Sequence, residues 1–237
     1  MVKKALLTFT GTFLVTMLVT AQVVFSLSLD IRGASGTSLP ELGVVVLEQT
    51  LAGEAGASKP AATGQLDGAG VVGYVFPTTL SPSEAGFGNA EGILAVAVTS
   101  HTDFDDTPMF DENSDGDYAN DGELWHSHWV VLTDDDRVSG GLSVQQFEEG
   151  DSSVVMPPTN PGLPIYLDSP GFPVVVQGNS VKVLVPRGVS EGFTFDAVSA
   201  YMEVNTSDET QPLLGVQEVY SVLSGDLSLP YEVQRKQ

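Results

Sequence analysis

The chain has 237 residues, with 31 acidic against 9 basic side chains, a formal net charge of −22 and no cysteine. That charge excludes nucleic acid and anionic lipid as natural partners and favours the capture of cations, although an acidic surface equally suits a salty medium. The missing thiols exclude disulfides, thiolate metal sites and cysteine nucleophiles, so a metal would have to be held by imidazole, carboxylate, carbonyl or a modified side chain.

Lys3-Lys4 precede an uncharged apolar run over residues 5–20, and Val19-Thr20-Ala21 places small residues at the two positions a signal peptidase reads. Residues 1–21 are therefore expected to be a secretory signal peptide. An uncleaved N-terminal anchor is the alternative, because the run is at the short end for a membrane span. No later stretch is long enough to cross a bilayer. The expected mature protein is residues 22–237, one domain, exported to the periplasm, the outer surface or the medium.

Along that domain the apolar residues come in short bursts separated by Gly, Pro, Ser and Asn, with 25 Gly and 14 Pro in the chain. Strands are predicted over residues 23–29, 43–47, 71–76 and 93–98, then 124–132, 174–176, 181–185, 193–198 and 216–223. Residues 174–185 read as a hairpin closed by Gly178-Asn179. Short helices could start at residues 80–85 and 144–149, but neither carries a sustained apolar stripe. Residues 50–70 and 149–162 read as loops. The fold class is all-β, an antiparallel β-sandwich with long loops.

Chemistry concentrates in residues 100–136, which hold all three histidines, both tryptophans and 12 of the 31 acidic residues. At the centre is Trp125-His126-Ser127-His128-Trp129. On a strand, His126 and His128 point to the same side about 6.5–7 Å apart at Cα, and Trp125, Ser127 and Trp129 to the other. His101, just past the strand over residues 93–98, joins them if those two strands pair. Nitrogen donors without sulfur suit copper or zinc. Two partly exposed histidines on an edge strand are the plain alternative.

Asp111-Glu112-Asn113-Ser114-Asp115-Gly116-Asp117 has the opening pattern of a calcium loop, with oxygens at alternate positions and a glycine at the sixth. The twelfth position falls on Gly122, between Asp121 and Glu123, so a standalone loop is expected, using Asp111, Asn113, Asp115, Asp117, Asp121 and Glu123. Asp103, Asp105 and Asp106 could join it. No catalytic residues are assigned. There is no Gly-x-Ser-x-Gly elbow, and a zinc hydrolase built on His101, His126, His128 and Glu123 is a third reading that the spacing does not favour.

Thr99-Ser100-His101, Asp103-Phe104-Asp105-Asp106-Thr107-Pro108 and Leu124-Trp125-His126-Ser127-His128-Trp129-Val130-Val131-Leu132 together resemble the surface-associated copper-binding proteins of methane-oxidising bacteria, the MopE/CorA type. The resemblance covers about 40 residues. It implies one copper(I) held by two of His101, His126 and His128 and by a kynurenine made from Trp125 or Trp129. It further implies accessory calcium and a dihaem peroxidase-like maturation partner. The leading expectation is thus a secreted copper(I)-binding protein, not an enzyme, for acquisition or storage. A calcium-stabilised structural or adhesive surface domain is the alternative.

Overall fold

Two kinds of strand build the protein, and their burial explains their sequences. The structure is a computed structural model and describes residues 27–105, 114–116, 121–148, 151–154, 165–166, 172–186 and 192–236. The signal-peptide reading of residues 1–21 lies outside them. Among the described residues no helix is long and apolar enough to cross a membrane.

Strands buried on one side form an open sheet. It contains β1 (Ile31–Leu39), β2 (Val44–Leu51), β9 (Val174–Gln177), β10 (Ser180–Pro186), β11 (Thr194–Phe195) and β14 (Tyr231–Arg235), in the order β11-β14-β1-β2-β10-β9. Burial alternates strictly along β2 and β10, as the two-residue side-chain period requires when only one face meets the core. Pairing is antiparallel except between β1 and β14, which run parallel. The expected hairpin is present as β9–β10, with Ser180 opposite Gln177. Of its two turn residues only Gly178 has positive φ, at 60°, as in a type II′ turn.

A second set of strands, several of them buried on both sides, closes into a barrel. These are β3 (Gly70–Pro77), β4 (Ile93–His101), β5 (His126–Asp134), β6 (Leu142–Val144), β12 (Val198–Val204) and β13 (Leu214–Val222). Around the barrel the order is β3-β4-β5-β6-β13-β12, and β12 pairs back onto β3. Every described residue of β3 is buried, which is why this strand reads as a solid apolar run. A separate ribbon pairs β7 (Phe147–Glu148) with β8 (Ile165–Tyr166).

Each barrel strand sends alternate side chains inward and outward. Val71, Val75, Ala95, Ala97, Val130, Leu132, Ala200 and Met202 share the lumen core. Val72, Tyr74, Phe76, Val96, Val98 and Trp129 face the other way and pack against Leu47, Val181 and Val183 of the open sheet. The expected face-to-face sandwich is therefore present with one of its two layers curled shut. Gln49, fully buried in the sheet's inner face, ties the layers together: its amide donates to the carbonyls of Val75 at 2.9 Å and Val198 at 3.4 Å, on the β3–β12 seam.

Several local expectations shift. Residues 27–29 turn rather than extend, and the rest of the strand expected over 23–29 lies outside the described residues. The short helix at residues 80–85 exists as a single turn, Pro82–Ala85. The other helix candidate, 144–149, is instead the end of β6 and then β7 as far as residue 148, and residue 149 lies outside the described residues. The run at 193–198 is split into β11 and the start of β12, because Asp196 turns back to accept hydrogen bonds from the amides of Ala197 and Ser224.

Candidate metal centre

All three histidines face the barrel lumen at one end. His126 and His128 share a face of β5 with Val130 and Leu132, and His101 closes the inward row Ala95-Ala97-Thr99 on β4. His101 is thus the last residue of its strand rather than just beyond it. In register Thr99 lies opposite His126, Ala97 opposite His128, and Val71 of β3 opposite His101. Small residues facing the imidazoles make the room a narrow six-stranded barrel would otherwise lack. Each histidine is only 1% exposed, so these are not edge-strand histidines in solvent.

Two of the rings meet. His101 Nε2 stands 3.0 Å from His126 Nε2, with the rings nearly perpendicular at 83°. The other nitrogen of each ring binds backbone: His101 Nδ1 lies 2.7 Å from the Phe104 carbonyl oxygen, and His126 Nδ1 lies 2.7 Å from that of Leu124. A carbonyl oxygen can only accept, so Nδ1 carries the proton in both rings. In two neutral imidazoles both Nε2 atoms then present lone pairs to each other across 3.0 Å. Such a pair requires a positive charge between its members, a proton or a metal ion. Thr99 Oγ1, 3.4 Å from His126 Nε2, is a long-range donor at best. His128 completes the group edge-on, its ring centroid 4.8 Å from that of His126.

Backbone anchoring of Nδ1 is the usual outer-shell device that aims a ligating imidazole. Nitrogens about 2.0–2.1 Å from a shared ion stand about 3.3 Å apart at a tetrahedral angle and about 4 Å apart when opposed. The pair would open by about 0.3 Å for the first arrangement and about 1 Å for the second. The donors fit a soft or borderline ion of low coordination number. Among the described residues no group of three or more His, Asp and Glu side chains forms a ready cage. Among these residues the facing pair supplies two nitrogens.

The surroundings are closed by short-range packing. The Phe104 ring lies flat on His101, with centroids 3.9 Å apart and planes 4° apart. The turn Asp121–Glu123 brings Gly122 against the same imidazole: a Cβ there would overlap the Phe104 carbonyl oxygen and sit 2.7 Å from His101 Nδ1. A strap from the loop after β2 crosses this end. Pro60 accepts from the Thr102 hydroxyl at 3.0 Å, Lys59 pairs with Glu123 at 3.2 Å, and the Asp103 carboxylate accepts the amides of Thr63 and Gly64. Those bonds, led by the Thr63 amide, hold the Asp103 carboxyl below its ordinary range.

The tryptophans go elsewhere. Trp129 packs in the core between barrel and sheet, on the face of β5 opposite the imidazoles. Trp125 packs on Tyr74 at 4.8 Å and reaches the Gly56 carbonyl with its indole N–H at 3.3 Å. Strand alternation puts the Trp129 indole on the face away from the histidine pair, and the Trp125 indole, which precedes β5, is engaged by Tyr74 and Gly56. Of the calcium-loop residues, Asp111, Asn113 and Asp117 lie outside the described residues, as does Asp106. Asp115 is exposed, Asp121 opens the turn beside His101, and the Glu123 carboxylate faces Lys59 rather than the imidazoles. That direction leaves Glu123 poorly placed as the base of a hydrolytic zinc site.

Comparisons with protein-family models, with curated proteins and with solved structures found no match. Met202, which sequence reading passed over, also lies in the lumen core beside this end. Only the strand register could have pointed to it.

Proposed function

We propose that this chain is a copper(I)-binding protein whose ion is gripped by Nε2 of His101 and Nε2 of His126, for copper acquisition or storage rather than catalysis. The observation that carries the reading is the facing pair: two buried imidazoles, each with Nδ1 spent on a carbonyl, direct their remaining nitrogens at one another 3.0 Å apart. Copper(I) tolerates two or three ligands and favours soft and imidazole donors in a dry setting. The lumen around the pair is lined by Val, Ala and Met, and the acidic surface draws cations toward it. This reading needs neither a kynurenine nor a maturation partner. Export rests on residues 1–21, and an auxiliary calcium site on residues 111–123 rests on the sequence pattern alone.

The test is metal analysis and anaerobic copper(I) titration against a chromophoric competitor. One equivalent in the wild type, lost in both His101→Ala and His126→Ala, supports the reading. Calcium alone, zinc in preference to copper, or unchanged stoichiometry in the two variants refutes it. A protein that takes up no metal would leave the pair bridged by a proton.

A further inference from the structure

Building on the proposed histidine pair, we infer that Met202 is a third, sulfur donor to the same ion and gives the site its preference for copper(I) over zinc(II). Met202 is 4% exposed and sits in the lumen row that the register draws across three strands, Met202 on β12, Val71 on β3 and His101 on β4. Its side chain does not stay in that row. The Cε methyl lies 3.1 Å from the point a Cβ would occupy on Gly73, and the same point is 3.6 Å from Thr99 Cγ2. Gly73 pairs with Thr99, and Thr99 pairs with His126. The thioether end therefore leans over Gly73, which has no side chain to block it, toward the row that carries His126.

Two further points favour a ligand over mere filling. Two nitrogens leave a bound ion open on one side, and no third His, Asp or Glu completes the cage among the described residues. The lumen offers a thioether for that open side. A thioether is soft, uncharged and not protonated in water, so it binds copper(I) without proton competition and adds little for zinc(II), which prefers imidazole, thiolate and carboxylate. Methionine's three flexible torsions let the sulfur swing the short distance from packing to ligation.

Met202→Leu keeps the volume and removes the sulfur. The variant is expected to weaken copper(I) binding at least tenfold while zinc(II) affinity changes less than twofold. Equal copper(I) affinities in variant and wild type would overturn the assignment. Because a core variant could misfold, a second measurement uses the wild-type chain grown with selenomethionine and loaded with copper(I). Selenium-edge absorption should reveal a copper neighbour, and the signal should vanish in Met202→Leu. A selenium edge without copper, in protein that holds one equivalent through its histidines, would remove Met202 and leave the histidine pair standing. Absence of copper uptake altogether would remove both.

Discussion

Alanine at Gly122 is expected to unseat His101. The backbone there needs no positive φ, so the requirement for glycine is one of space. An added methyl would press on the Phe104 carbonyl oxygen, on His101 Nδ1 at 2.7 Å and on His101 Cε1 at 2.8 Å, and neither a carbonyl nor a stacked ring can slip away easily. Overpacking of a closed site costs about 1–3 kcal/mol, and loss of the His101–Phe104 hydrogen bond adds about 1 kcal/mol. A total of about 2–4 kcal/mol corresponds to a fall in Tm of about 4–16 °C for a domain of this size. Thermal unfolding followed by circular dichroism measures it, and a copper(I) titration of the folded variant should show weakened binding. Gly43→Ala is the control, since that glycine has φ 66° and open space around it, so it should lower Tm without touching copper. A Gly122→Ala protein with wild-type Tm and wild-type copper affinity would refute the geometry of this end of the barrel.

Two other outcomes follow from buried polar groups. Arg137 hydrogen-bonds the buried Asp135 carboxylate through Nε at 2.8 Å and Nη2 at 2.6 Å and holds its carboxyl well below the ordinary value. A depressed folded-state pKa stabilises the fold above the unfolded value of about 3.9 and loses that contribution as pH falls below it. Asp135→Asn should therefore melt lower than wild type at pH 7, with the gap narrowing below about pH 4; a gap that is constant with pH would argue for packing alone. Gln49→Leu removes the amide that bridges the sheet to the β3–β12 seam. It should lower the urea midpoint by about 1–3 kcal/mol of stability with unchanged slope, and an unaltered midpoint would mean the bridge is idle.

The interior strands were legible because burial is written into their composition. Residues 71–76 and 93–98 are nearly continuous apolar runs, and these became β3 and β4, sealed on both faces. β1 escaped notice, since Ile31–Leu39 is rich in Gly, Ser and Thr and is held by β2 on one side and by the distant, parallel β14 on the other. Closure of the barrel depends on β12 meeting β3, a pairing between remote segments that leaves no local trace. At the site, alternation placed His126 and His128 on one face, and neighbouring strands brought His101 alongside. Which face that is, lumen or exterior, follows only from closure. The two carbonyls that orient the pair belong to Phe104 and Leu124, and backbone acceptors have no sequence signature.

The open sheet ends in strands of four and two residues, β9 and β11, beside strands of seven and five, β10 and β14. Unsatisfied amides along a sheet border are templates for another chain, and the risk grows with the length of the border. Among the described residues the barrel adds no border, because its six strands form a ring. Short margins on one layer and a closed ring on the other, with mutual repulsion from a charge of −22, work against edge-to-edge pairing of these two layers between copies of the protein.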